Sequence, residues 1–192
     1  CDDVFIIVDR LLWLVLVEYM GTTSCIGEGM KALVLEEPGD PPKLAVMDVP
    51  SPTIGAHDVL VKVAACGLCY HDTLVMRGIL RRGLKPKLIL GHEIAGEVVK
   101  RGPLVSKISP GDAVASILTN ACGSCSRCAQ GREHRCLQGV GIGHGEDGGF
   151  AEYVKITESS LIKLPPGVDL SRACIYGCPM GVALNALRDV GG

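Results

Sequence analysis

From Met30 onward, short apolar runs alternate with clusters of Pro, Gly and Asp. "KALVLEE" (31–37), "KLAVMDV" (43–49) and "HDVLVKVAACG" (57–67) carry alternating or continuous apolar positions bounded by turn residues, the pattern of strands. "KLILG" (87–91), "IAGEVVKRG" (94–102), "GDAVASIL" (111–118), "GGFAEYVKI" (148–156) and "SLIKL" (160–164) repeat that pattern. "HDTLVMRG" (71–78) predicts a short helix and "LPPGVDL" (164–170) a turn. "SRACIYGCPMGVALNALRDV" (171–190) has helical spacing and is expected to run as a helix to the end. Strands this short and this evenly spaced predict a mainly β, barrel-like domain with few helices.

The first 29 residues read differently. "VFIIVDRLLWLVLV" (4–17) is apolar but broken by Asp9 and Arg10, and it is short for a bilayer span. Asp2 and Asp3 carry the wrong sign for the start of a signal peptide. The expectation is an extension over 1–29 outside the domain, a β domain over 30–170, and a helix over 171–192 leading onward. A membrane anchor at the head is the minority alternative.

Composition narrows the function. The 192 residues suffice for one domain with a real core. A formal net charge of −2 and an aromatic content of 4% supply neither a basic face nor stacking platforms, so nucleic acid is not an expected partner. The ten cysteines change the picture most. With no credible secretory leader, metal ligation is a better reading than a disulfide framework, and a cytoplasmic location follows.

Four of those cysteines fall in "CGSCSRCAQGREHRC" (122–136). Cys122, Cys125 and Cys128 are separated by two-residue gaps, and Cys136 follows after seven more residues. Thiolates so spaced can wrap one tetrahedral ion, and Gly123 and Gly131 permit the tight turns this needs. Four thiolates leave no open coordination position, so the predicted zinc holds the chain and performs no chemistry. Two disulfides or an iron–sulfur cluster are the alternatives.

Three further patches carry ligand residues: "CGLCYHD" (66–72), "GHE" (91–93) and "GCPMG" (177–181). Two thiolates and one imidazole form a known catalytic zinc set with an open fourth position. Taken singly, each patch is as well explained by a packed Cys or a hydrogen-bonded His.

Together with "MKALVLEEPG", "GHEIAGEVV", "GDAV" and "GGFAEYV", the four patches resemble, in order and spacing, the zinc-dependent medium-chain alcohol dehydrogenase family. The resemblance runs from Met30 to the last residue. It implies a GroES-like, partly open β-barrel fold. It implies Cys69, His92 and Cys178 as ligands of a catalytic zinc, and Cys122, Cys125, Cys128 and Cys136 as ligands of a structural zinc. Cys66 is then a buried strand residue, Asp72 the carboxylate that orients His92, and Glu93 the acidic residue beside the metal.

His71 stands where many alcohol dehydrogenases have the Ser or Thr that relays the substrate proton. Histidine titrates near neutrality and can pass a proton, and a solvent-facing His is the plain alternative. The implied activity is hydride transfer between an alcohol or carbonyl and NAD or NADP. The alternatives are an enoyl-thioester reductase of the acryloyl-CoA type and a non-catalytic, zinc-stabilised fragment.

The family's nucleotide-binding Rossmann domain is expected beyond "ALRDVGG", outside this chain, which alone is expected to turn over no alcohol. The formal G-x-G-x-x-G at Gly143, Gly145 and Gly148 leads into a strand rather than opening a helix, and we read it as a loop near the substrate cleft. The partners implied are small molecules, with no membrane; self-association into a homo-oligomer is compatible with apolar positions Val182, Leu184 and Leu187 on the last helix.

Overall fold

The computed structural model describes residues 5–7 and 29–191. Of the expected extension, Phe5–Ile7 (β1) and Gly29 fall within that range, and the rest of the apolar head lies outside it. The strands that follow are β2 (Met30–Glu37), β3 (Lys43–Val49), β4 (Asp58–Gly67), β5 (Leu88–Ile89), β6 (Glu93–Arg101), β7 (Ala113–Ser116), β8 (Thr119–Asn120), β9 (Val140–Gly141), β10 (Tyr153–Thr157) and β11 (Leu161–Lys163). Three α-helices join them: α1 (Tyr70–Met76), α2 (Leu170–Ala173) and α3 (Pro179–Gly191).

The strands form three sheets. One runs β1-β4-β6-β7-β11, with β10 also paired to β4; a second runs β3-β2-β5; β8 and β9 make a two-stranded ribbon. A bridge between Ala32 and Ala151, and the bond from Leu33 N–H to Phe150 C=O (2.8 Å), join the second sheet to the first. Apolar residues from both fill one core, with Leu35, Val61, Leu90, Ile94 and Ile156 fully buried. Among the described residues no helix is long and apolar enough to cross a membrane.

Two features of this architecture position the site. The first is register. β4 and β6 are antiparallel, with Gly67 opposite Glu93, Cys66 opposite Ile94 and Ala65 opposite Ala95. The end of β4 and the start of β6 therefore lie side by side, which carries Cys69 next to His92. The second is a seat of small side chains. Ala65, Ala95 and Ala115 follow one another across β4, β6 and β7, all fully buried, and pack with Ala173 and Cys174. A helix can approach a sheet closely where the side chains between them are this small, and α2 does so.

The single helix expected over 171–190 is two. α2 ends at Ala173, the chain turns through Cys174–Cys178, and α3 opens at Pro179. Proline is pre-organised for the first position of a helix and disfavours helical backbone in the residue before it, so Pro179 marks a start and not an interior. On α3, Val182, Leu184, Leu187 and Val190 are exposed.

Candidate functional site

The four-cysteine segment hangs between β8 and β9 and is tied to the body at its base. Ala121 N–H donates to Ser160 Oγ (2.8 Å), and Ser159 Oγ donates to Ala121 C=O (3.1 Å). Gly123 and Gly131 both take positive φ, 72° and 68°, which the tight turns require. The sulfurs converge. Cys125 lies 3.5 Å from Cys128 and 3.8 Å from Cys136, and Cys122 lies 3.5 Å from Cys136 and 4.0 Å from Cys128.

Four thiolates on a tetrahedral zinc, each bond about 2.3 Å, stand roughly 3.8 Å apart, so this spacing fits that ion. All four cysteines are free thiols, which answers the disulfide alternative. Their proton affinities diverge. Backbone N–H groups of Cys128 and Leu137 lower Cys125 to about 6, whereas burial, reinforced by the neighbouring thiols, raises Cys128 to about 12.

The dispersed patches meet at the mouth of the β4–β6 pair. The ligand atoms of Cys69, His92 and Glu93 all lie within 4.8 Å of one another, and those of His71, Asp72 and His92 form an overlapping group of the same size. Cys178, delivered by the turn after α2, brings its thiol against the His92 imidazole, but it does not lie within 4.8 Å of both Cys69 and His92. The group formed by Cys69 and His92 thus includes Glu93, the acidic residue expected beside the metal. Cys66 is fully buried on β4, where burial and then the Asp72 charge push its thiol well up, so it is an inert packing residue.

Asp72 organises the cluster. One carboxylate oxygen accepts from Cys69 N–H (2.9 Å) as part of the cap of α1, and the other accepts from Gly91 N–H (3.3 Å). The latter oxygen lies 3.5 Å from His92 Nδ1, ion-pair range and long for a hydrogen bond. Asp72 and His92 are almost completely buried, at 0% and 1% exposure. Burial opposes charge on His92, but Asp72 together with the Cys178 and Cys69 thiols outweighs it, and the imidazole is pushed up to about 12. Sulfur, imidazole and carboxylate donors gathered this closely are of the types that ligate zinc, so these residues fit a metal ion.

Burial raises Glu93, with His92 pulling the other way. Its carboxylate occupies the space a side chain at position 67 would need, which explains Gly67. His71 is half-buried, with its ring 5.2 Å from that of His92 in a T-shaped arrangement and 5.4 Å from that of His144. Burial, and then the neighbouring His92, lowers its proton affinity.

Two positions escaped the sequence reading. Ser116, fully buried at the end of β7, donates its hydroxyl to His92 C=O (2.8 Å) and accepts from Ile94 N–H (3.2 Å). Its own carbonyl oxygen lies against the α-carbon of Gly177, leaving no room for a side chain there. Ser116 thus fixes the backbone of His92 on one side and the approach of Cys178 on the other. No sequence signal marked it, whereas Gly177 before a Cys-Pro pair could have been read as a close approach.

The G-x-G-x-x-G loop is packed backbone to backbone on the segment before His92. Gly148 N–H bonds Ile89 C=O (2.7 Å), Gly149 N–H bonds Gly91 C=O (2.8 Å), and side chains at 143 or 148 would strike Gly91. Gly143 and Gly148 serve that contact. A cavity of about 360 Å³ opens between His71, Thr119, His144 and the Arg81–Arg82 pair. A separate one of about 570 Å³, between Met30, Met47 and Tyr153, contains none of the cluster residues.

The alcohol dehydrogenase GroES-like domain family model matches residues 55–166, more than half of the chain. The chain belongs to that family. Its relatives include the L-threonine 3-dehydrogenase of Streptomyces coelicolor, 42% identical over 81% of this chain and 45% of the relative. They also include the acryloyl-coenzyme A reductase of Metallosphaera sedula, 35% identical over 83% of this chain and 47% of the relative. Among solved structures, the cobalt- and zinc-bound thermostable alcohol dehydrogenase of Pyrobaculum aerophilum superposes with a TM-score of 0.73 at 29% identity, over 84% of this chain and 49% of the other. This GroES-like member spans about half the length of the curated relatives it matches.

Proposed function

We propose that the chain is the catalytic domain of a zinc-dependent oxidoreductase that moves hydride between an alcohol or carbonyl and NAD or NADP. The observation that carries the reading is the convergence of Cys69 with the buried His92 and Glu93, with Cys178 against His92, in a chain that also holds a separate four-thiol cluster. In this reading Cys69, His92 and Cys178 hold a catalytic zinc, while Cys122, Cys125, Cys128 and Cys136 hold a structural one. Lewis acidity that lowers the pKa of a substrate hydroxyl is what the catalytic ion contributes when bound.

The chain's own residues do the rest. Asp72 anchors the backbone of Cys69 and Gly91 and faces Nδ1 of His92, so the imidazole presents its other nitrogen to the cluster. Glu93 supplies a carboxylate beside the ligands. His71, packed on His92 with its Nδ1 buried and unpartnered, is placed to take the substrate proton. The family's partly open barrel, the division into 1–29, 30–170 and 171–192, a cytoplasmic location and self-association through the exposed residues of α3 belong to the same reading. None of the described residues is assigned to the nicotinamide. The relative that reduces acryloyl-CoA, at an identity close to that of the dehydrogenases, supports an enoyl-thioester reductase as the second reading.

Elemental analysis of the purified chain tests the metal assignment, with two zinc ions per chain expected from the two clusters. Cys69→Ser should retain one of them and keep most of the stability. A single zinc in the unsubstituted chain, unaffected by Cys69→Ser, overturns the catalytic site and leaves a zinc-stabilised fragment.

A further inference from the structure

We infer that the 360 Å³ cavity beside His71 is an anion subsite, which receives a carboxylate or phosphate carried by a substrate whose reacting oxygen lies at the Cys69–His92–Glu93 cluster. This rests on the reading of that cluster as the reaction site. His71 connects the two: its ring packs on His92 on one side and lines the cavity on the other. One imidazole therefore borders both the cluster and the cavity.

The cavity lining is cationic: it includes Arg81 and Arg82 and, among the described residues, no Asp or Glu. Other basic side chains do have carboxylate partners: Arg77 pairs with Asp40, Lys85 with Asp147, and Lys155 with Glu146. Neither Arg81 nor Arg82 pairs with a carboxylate among the described residues. The segment that carries them is held in place all the same. Arg81 Nε donates to Gly78 C=O (2.7 Å), and Arg82 C=O bonds His144 Nε2 (2.8 Å), which ties the arginine segment to the loop after β9.

Two guanidinium groups without a carboxylate partner among the described residues, on an anchored segment, present forked donors that match a carboxylate or a phosphate. Thr119 adds a hydroxyl to the same lining. Ile79, 58% exposed and also on the lining, offers an apolar wall for the carbon chain between the two ends of such a ligand.

The test is a titration of the zinc-loaded chain followed by NMR at the Arg82 and His71 resonances. The three probes are 2-butanol, 3-hydroxybutyrate and 3-hydroxybutyl phosphate. The two anionic probes should saturate at concentrations lower by about tenfold or more, since a charged hydrogen bond is worth roughly 1.4 kcal/mol or above. The tighter of the two identifies the anion. Arg81→Gln combined with Arg82→Gln should erase the preference and leave 2-butanol unchanged; both side chains are exposed, and unshifted core resonances verify the fold. Equal saturation by all three probes, or a preference that survives the double substitution, overturns the subsite. Anionic probes that shift Arg82 while 2-butanol fails to shift His71 support the subsite and overturn the cluster as reaction site.

Discussion

Gly177→Ala is the substitution that most directly tests how this chain assembles a site from distant segments. The α-carbon of Gly177 faces the carbonyl oxygen of Ser116, and a methyl group there would sit far inside the 3.0 Å that real Cβ atoms keep. The carbonyl belongs to a strand paired on both sides, with β6 and β11, and cannot retreat. The turn through Cys174–Cys178 must move instead, by about an ångström, an overpacking that costs roughly 1–3 kcal/mol. For a domain of this size that is a fall in Tm of about 2–12 °C. Cys178 is the next residue, and metal–ligand distances tolerate only about 0.2 Å of error. The zinc assigned to Cys69, His92 and Cys178 should therefore be lost or rapidly removed by a chelator, while the four-cysteine cluster, anchored through Ser159 and Ser160, keeps its own. Elemental analysis before and after a chelator, alongside a thermal melt, reads both effects. Two zinc ions with unsubstituted release kinetics and an unchanged Tm refute the reasoning.

Ser116→Ala should leave His92 C=O and Ile94 N–H unpaired in the interior, costing about 1–3 kcal/mol, and should weaken zinc binding at the dispersed site about 10- to 100-fold by competition with a chelator; full affinity removes Ser116 from the site. Cys125→Ser should release the loop's zinc and lower the Tm while the dispersed site retains its metal, and equal melting temperatures contradict the structural role. Acidification should strip both metals as thiolates and imidazole take up protons, so stability that is present at neutral pH is lost on the acid side; metal release that is independent of pH argues against thiolate ligation.

The strands were legible because their signal is local. Period-2 alternation and bounding Gly, Pro and Asp residues appear within ten positions, and "KLAVMDV" and "KALVLEE" coincide with β3 and β2 to within a residue. The four-cysteine loop was legible for the same reason, since its four converging cysteines fall within fifteen residues and its glycines take positive φ. The residues of the dispersed site were named, but their meeting was not visible in any periodicity.

Cys69 reaches His92 through the β4–β6 register, and Cys178 reaches it through a seat of three alanines on three strands. Those are long-range contacts, which leave no mark on neighbouring positions in the chain. The same holds for Ser116, an ordinary strand residue by pattern, whose hydroxyl and carbonyl acquire their roles only when β7 is laid beside β6 and under Gly177. The helical spacing of 171–190 misled because periodicity measures which face is apolar, and it is Pro179, with the contact at Gly177, that breaks the segment into α2 and α3. Local chemistry fixes the elements and the loop whose four thiols converge, whereas tertiary packing alone decides which distant side chains share one site.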